Sequence, residues 1–330
     1  MRLLATGGAG YVGSHVSAAF RASGHEVAVY DDLSSGHEWA IPPGTPFTRG
    51  DVRDTSRLEA ALRSSRAEGV LHFAAKCLVG ESVLKPDLYF DINVVGGASL
   101  LRAMERAGVK RLLFSSTASV YGNPQTSPIP EDHPLNPVNP YGESKRDFEN
   151  LLAAAARAGA VRYASLRYFN AAGCAEDGSL GEDHDPETHL IPNALRALLP
   201  GGAPLTVFGR DWPTRDGTCV RDYLHVEDLA DAHLRAWDRL CRDGEGGVFN
   251  LGTGTGSTVL EVLEAIRNEA GRKVPVSFGP RRDGDPAVLV ASNVRARRIL
   301  GWTPCRSLAD IVRTAWNWGQ TPIKNVERRR

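Results

Sequence analysis

The stretch Thr6-Gly7-Gly8-Ala9-Gly10-Tyr11-Val12-Gly13, TGGAGYVG, decides the reading of this chain. It follows an apolar run of strand character, Arg2–Thr6, and opens a segment, Val12–Ser23, with apolar residues at helical spacing. Between a strand and a helix, Gly7, Gly10 and Gly13 fit a phosphate-binding turn. The first glycine makes the turn, the second admits a pyrophosphate to the backbone, and the third packs helix on strand. The unpaired N–H groups and positive end of the helix attract the phosphate.

Outward from this motif, short apolar runs at Glu26–Tyr30, Val70–Ala74, Arg111–Ser115 and Val161–Arg167 alternate with helical patterns at Ser56–Ser65, Leu88–Ala107 and Tyr141–Ala158. The alternation predicts an α/β fold, a doubly wound Rossmann-type parallel sheet with helices on both faces. After Asn170 the chain is turn-rich from Gly173 to Pro192, and a smaller C-terminal α/β region follows. The reading is of residues 1–170 as the cofactor-binding domain and residues 171–330 as mainly the substrate region. The two interleave, because the helix and strand over 226–251 return to the main sheet. Arg328–Arg330 reads as a frayed tail.

Lys and Arg number 39 against 39 Asp and Glu, so net charge provides no drive toward nucleic acid or an anionic membrane. Cys77, Cys174, Cys219, Cys241 and Cys305 form no CxxC pair, which speaks against a zinc or disulfide framework and suits a reducing cytoplasm. No apolar run approaches ~18 residues, and the N-terminus has no leader pattern. Glycine, at 34 residues, exceeds its ordinary share of ~7%, as close approach to ligands requires.

Asp31-Asp32 closes the second predicted strand, eighteen residues after Gly13. A carboxylate there accepts hydrogen bonds from ribose hydroxyls and repels a 2′-phosphate, so the cofactor is read as NAD rather than NADP. Asp51-Val52 ends a further short segment and is assigned to the adenine.

Tyr141 and Lys145 stand four apart, on one face of a helix introduced by Asn139-Pro140. A phenol with a pKa near about 10 becomes a usable acid/base when a neighbouring ammonium and the nicotinamide charge lower that value. A third hydroxyl is expected from Ser115-Ser116-Thr117.

Together these motifs resemble the extended short-chain dehydrogenase/reductase family. His72-Phe73-Ala74-Ala75, Val79-Gly80-Glu81-Ser82, Arg167-Tyr168-Phe169-Asn170, Phe208-Gly209, Asp216-Gly217-Thr218 and Val220 to Val226 narrow the resemblance to its UDP-glucose 4-epimerase branch, from residue 1 to about 316. The resemblance implies NAD held by Gly7, Gly10, Tyr11, Val12, Gly13, Asp31, Asp32, Asp51, Val52, Phe73, Ala74, Ala75, Asn93, Tyr141, Lys145 and Phe169. It implies a UDP-sugar held by Thr117, Tyr141, Asn170, His189, Leu190, Phe208, Arg221, Arg282, Asp285 and Val288. Thr117 then becomes the third hydroxyl, Tyr141 the acid/base, and Lys145 its tuner. A cytoplasmic homodimer through Leu88–Ala107 and Tyr141–Ala158 is implied as well.

Three departures and two other loops complete the reading. Cys77 stands where such epimerases often carry a Lys, with Lys76 one position earlier, and Thr117 replaces a commoner Ser. Val288 replaces a large Tyr, which leaves room for the 2-acetamido group of UDP-N-acetyl hexosamines. Gly252 to Thr258 lacks a following Gly-Lys-Ser/Thr and is read as a helix-capping turn. Glu182-Asp183-His184-Asp185 lies in a polar loop without partner ligands at helical spacing, so no metal is expected. Rival readings are nucleotide-sugar dehydratases and decarboxylases, whose carboxylate beside Thr117 is missing, epimerases of UDP-pentoses or UDP-uronates, and a non-catalytic NAD sensor.

Overall fold

The computed structural model describes residues 1–242, 244, 246–282 and 285–320. Arg328–Arg330, expected to fray, lies outside the described residues. In chain order the first elements are β1 (Arg2–Thr6), α1 (Tyr11–Ala22), β2 (Glu26–Asp31), β3 (Phe47–Arg49), α2 (Thr55–Ser64), β4 (Gly69–His72), α3 (Val79–Leu84) and α4 (Pro86–Phe90). There follow α5 (Gly96–Ala107), β5 (Arg111–Thr117), α6 (Pro140–Arg157), β6 (Arg162–Tyr168) and β7 (Asn170–Ala172). The second half holds α7 (Leu190–Ala197), β8 (Leu205–Phe208), β9 (Val220–Arg221), β10 (Tyr223–His225), α8 (Val226–Arg242) and β11 (Gly247–Leu251). It ends with β12 (Ser257–Thr258), α9 (Val259–Ala270), β13 (Val276–Gly279), β14 (Val288–Leu289), α10 (Val294–Leu300) and α11 (Leu308–Gln320).

The main sheet is parallel, in the order β11-β6-β5-β4-β1-β2-β3. Successive side chains of a strand point to opposite faces, and both faces here are covered, which is why its strands read as continuous apolar runs. Leu3 and Ala5 of β1 pack with Val16, Phe20 and Trp237, whereas Leu4 packs on the other face with Leu58, Val70, Leu112 and Phe148. Each such buried Leu or Phe contributes roughly 1.5–3 kcal/mol. Strand order reverses between β1 and β4, and a crevice forms outside the carboxyl ends of strands at such a point. A third core, with Ile191, Val262, Ile266, Val312 and Trp318, lies among α7, α9 and α11. Three small sheets, β12-β9-β14, β13-β8 and β10-β7, complete the second half. Among the described residues no helix is long and apolar enough to cross a membrane.

Two elements differ from expectation. The single helix expected over Leu88–Ala107 is broken by one wider, π-type turn, Asp91–Val95, between α4 and α5. A Cβ on Gly97 would meet the Phe148 ring at 2.3 Å, so the glycine lets α5 press against α6 just after this turn. The strand expected over Val70–Ala74 ends at His72, because the N–H groups of Phe73 and Ala74 both donate to Thr6 O, at 2.8 and 2.9 Å. The glycine run before α9 is a capping turn, as read. Thr258 Oγ1 accepts from Glu261 N at 3.1 Å, and Glu261 Oε2 accepts from Thr258 N at 2.9 Å.

Candidate active site

At the carboxyl end of β1 the chain turns through Gly7, whose φ of +73° disfavours any side chain. A Cβ there would meet Ala74 N at 2.3 Å, and one on Gly13 would meet Gly7 O at 2.1 Å. The glycines thus let α1 start directly under the Phe73–Ala75 turn. Gly10 is the N-cap of α1 and, having no side chain, leaves the first-turn N–H groups open to an anion. Asp31, at the end of β2, is buried and turned back onto this loop: its carboxylate accepts from Ala9 N at 3.0 Å and Leu33 N at 2.8 Å. Asp32 remains exposed. The cradle, the open helix end and two carboxylates beyond it fit a dinucleotide.

Asp51 O accepts from the Tyr30 hydroxyl at 2.8 Å, and Val52 is buried against Gly96. Tyr11 donates to Gly173 O at 2.5 Å, while Val12 packs on the core above α1. Asn93, placed by the widened turn, has its amide committed to protein. Its Oδ1 accepts from Lys76 N at 2.9 Å, and its Nδ2 donates to Lys76 O at 3.0 Å and Ser144 Oγ at 2.9 Å. It therefore braces the loop after β4 against α6, beside Lys145.

Helix α6 begins as its sequence predicts, with Pro140 first and the Asn139 side chain accepting from Gly142 N at 2.9 Å. A Cβ on Gly142 would meet Ser119 O at 2.5 Å, so this glycine lets the helix end approach the turn after β5. There the Tyr141 phenol meets the Thr117 hydroxyl. The other two candidate hydroxyls are engaged elsewhere: Ser115 with the Tyr168 hydroxyl, and Ser116 donating to Glu149 Oε1 at 2.6 Å.

The electrostatics differ from the sequence expectation in one respect. Burial raises the Tyr141 pKa above that of an ordinary phenol, reinforced by the nearby Cys77 and opposed by the Thr117 hydrogen bond, instead of being lowered by Lys145. The Lys145 ammonium donates to Ser115 O at 2.9 Å and lies 4.8 Å over the Phe114 ring, and burial pushes its pKa down to about 8. Cys77, exposed, is felt by Tyr141, Lys145, Tyr89 and Tyr168, whereas Lys76 acts on Glu81.

One pair escaped the sequence reading. Glu149 accepts from Arg167 Nε at 2.9 Å and from Ser116, and Arg167 Nη1 donates to the Tyr121 hydroxyl at 2.9 Å, all buried. Its signal was in plain view, since Tyr141, Lys145 and Glu149 are spaced four apart along α6.

The residues assigned to the nucleotide also meet. Arg221 Nη1 donates to Val220 O at 2.9 Å and Pro286 O at 2.8 Å, with Asp285 Oδ1 3.6 Å from its Nη2. The Arg282 guanidinium stacks 3.9 Å over the Phe208 ring. Val288 pairs in register with Val220, one position from Arg221. Asn170, just beyond β6, donates its backbone N–H to Asp222 O at 3.0 Å, and its side-chain Oδ1 is buried without a hydrogen bond. Phe169 packs by Val120, Tyr121 and Ile129, and Leu190 joins the third core. His189 departs from the set, because its ring turns to Glu182 and Glu187. The premise that Glu182 and His184 lack partner ligands is overturned too: the fold folds Glu187 and His189 back onto them.

Fold and site together define the class, a Rossmann-type enzyme in which Tyr141, Lys145 and Thr117 gather near a dinucleotide cradle. A sequence profile of the NAD dependent epimerase/dehydratase family matches residues 3–252, and the chain belongs to that family. It is 48% identical over 328 residues to a UDP-glucose 4-epimerase of Lactobacillus helveticus, covering 99% of each chain. Its fold matches the crystal structure of UDP-glucose 4-epimerase from Brucella ovis in complex with NAD at a TM-score of 0.92 and 43% identity, covering 96% of this chain and 98% of that one. The Bifidobacterium longum UDP-glucose 4-epimerase in complex with NAD+ and UDP matches at a TM-score of 0.92 and 36% identity, over 99% of both chains.

Proposed function

We propose that the protein is a NAD-dependent 4-epimerase that interconverts UDP-glucose and UDP-galactose through a 4-keto sugar. The observation that carries this reading is the meeting of Tyr141 and Thr117 at the end of β5, with Lys145 one turn on, beside the Gly7–Gly13 cradle. The cradle and α1 hold the cofactor pyrophosphate, Asp31 and Asp32 take the adenosine ribose, Asp51 and Val52 flank the adenine, and Phe73–Ala75 and Phe169 border the nicotinamide half. When bound, NAD+ accepts and returns the hydride at C4 and brings positive charge to the site.

Tyr141 exchanges the proton of the 4-hydroxyl, and Thr117 donates to the same oxygen, where charge develops. Lys145, its ammonium held by Ser115 O, binds a ribose hydroxyl. Arg221 and Arg282 offer planar forks to the diphosphate, with Asp285 at the uridine ribose, Phe208 at the uracil and Asn170 Oδ1 open to a donor. A nucleotide clamped at this distance from C4 leaves the keto sugar free to turn and present its other face. Val288 leaves volume for a 2-acetamido group, so UDP-GlcNAc and UDP-GalNAc belong to the proposed substrates.

The same reading includes a homodimer through α4, α5 and α6, supported by exposed Val95 and Leu151, and a place in galactose metabolism. Five cysteines without a CxxC spacing suit a cytoplasmic location. Incubation with UDP-galactose, UDP-GalNAc, UDP-xylose and UDP-glucuronate, with product separated by chromatography, tests the assignment. Turnover of UDP-galactose to UDP-glucose is expected; turnover of the pentose or uronate alone would move the substrate assignment to that class, and no turnover with bound NAD would favour a sensor.

A further inference from the structure

Between β7 and α7 runs a stretch without helix or strand, and within it four side chains converge: Glu182, His184, Glu187 and His189. One ligand atom from each lies within 4.8 Å of all the others. Glu182 Oε1 is 2.7 Å from His189 Nδ1 and 3.2 Å from His184 Nδ1. Glu187 Oε1 is 3.0 Å from His189 Nδ1, and its Oε2 3.9 Å from His184 Nδ1. These separations bracket the edge of a tetrahedron, roughly 3.3 Å, that four N and O ligands form around zinc at about 2.0–2.1 Å.

Both carboxylates are withdrawn from water, with side-chain exposures of 5% for Glu182 and 0% for Glu187. Glu182 Oε1, His184 Nδ1 and Glu187 Oε2 are buried and make no hydrogen bond of workable angle, although they sit close together. His189 Nδ1 bonds Glu187 Oε1 at 3.0 Å, but the three unpartnered atoms still crowd on one point, and they call for a cation there because unsatisfied buried acceptors are costly. Two carboxylates and two neutral imidazoles cancel the charge of a divalent ion.

The backbone carrying these ligands is held from outside the cluster. Glu182 O accepts from Trp318 Nε1 at 3.2 Å, Asp183 O meets His37 Nε2 at 2.7 Å, His184 O accepts from Arg196 Nη2 at 3.3 Å, and Glu187 O accepts from Asn193 Nδ2 at 3.2 Å. Ligand orientation is therefore fixed before any ion arrives, as metal sites require. The Tyr11 ring stands edge-on to His184, 6.1 Å away, so the cluster backs onto the glycine loop.

From this convergence we infer that Glu182, His184, Glu187 and His189 form a closed, structural zinc site that staples the loop after β7 to the start of α7 behind the cofactor cradle. Imidazole nitrogen with carboxylate oxygen suits zinc better than magnesium or calcium, and four protein ligands leave no open position for chemistry. On binding, zinc takes the place of protons held among the four groups, which pass to solvent.

Full-length protein made without a histidine tag in zinc-supplemented medium is expected to retain one equivalent of zinc after desalting, by mass spectrometry of the metal. Cobalt exchanged into it should give the visible absorption of a tetrahedral site. E182Q and H184Q should each lose the metal while keeping the far-UV circular dichroism of the parent. Should either variant fail to fold, the parent decides: stripping by a chelator should lower its unfolding temperature, with recovery on adding zinc but not magnesium. Parent protein that keeps no zinc after loading, folded variants that retain it in full, or unfolding indifferent to chelation and zinc would each overturn the site and leave an ion-pair cluster only.

Discussion

Tyr141 and Lys145 show how far a four-residue spacing can be trusted. It places both side chains on one face of α6, but the direction of the ammonium is set by Ser115 O, from a strand thirty residues earlier. Burial therefore decides both groups, holding the phenol protonated and pushing the lysine down to about 8. Tyr141→Phe is expected to keep bound NAD while turnover falls roughly 10²–10⁴-fold, the range of a lost acid/base; near-normal turnover would remove Tyr141 from the proton path. Cys77 offers a second probe, being exposed and electrostatically coupled to Tyr141. Alkylating it with a bulky maleimide should abolish activity, and Cys77→Ser should be active and insensitive to the reagent. An alkylated yet fully active enzyme would place that thiol away from the substrate path.

Among the elements, α6 was the most legible and its setting the least. Asn139-Pro140 announces its start, and the Tyr, Lys and Glu series marks its buried face. What sequence withheld was non-local. The widened turn at Asp91–Val95 lies beside the close approach of Gly97 to Phe148, and the partner of Glu149 is Arg167, on β6. The convergence on Glu182 was hidden for a similar reason, since the loop has no period to read. Removing one member of a buried pair strands the other charge, so Arg167→Met should destabilise by about 3–5 kcal/mol in urea titrations. Replacing Arg167 and Glu149 together with apolar residues should cost less than the single change. Equal losses would deny the pair its place as the anchor of α6.

For the molecule as a whole, four buried histidines set the acid limit of stability. Burial pushes His72 down to about 3 and His15, His225 and His233 down to about 4. The unfolded chain takes up these protons near pH 6.5 and the folded one does not, so stability is intact above that value and falls with pH below it. At pH 5.5 the loss is about 1.4 kcal/mol for each histidine, or about 5–6 kcal/mol for the four. Urea midpoints at pH 7.5 and 5.5 should show it, and His233→Gln should reduce it by about a quarter; coincident midpoints would mean that the rings titrate normally. The parallel order of the sheet was legible from the alternation of strands and helices, because it is local and repeated. Its last strand carries a consequence of another kind. β11 pairs with β6 from about eighty residues further along, and Trp237 of α8 fills the space under Gly69. On the ribosome, at about 5–20 residues per second, β6 must therefore wait several seconds with a bare edge while the chain that will cover it is made. The nascent enzyme is most exposed to chaperones, and to its neighbours on a polysome, in the interval after β6 has emerged and before the sheet can close.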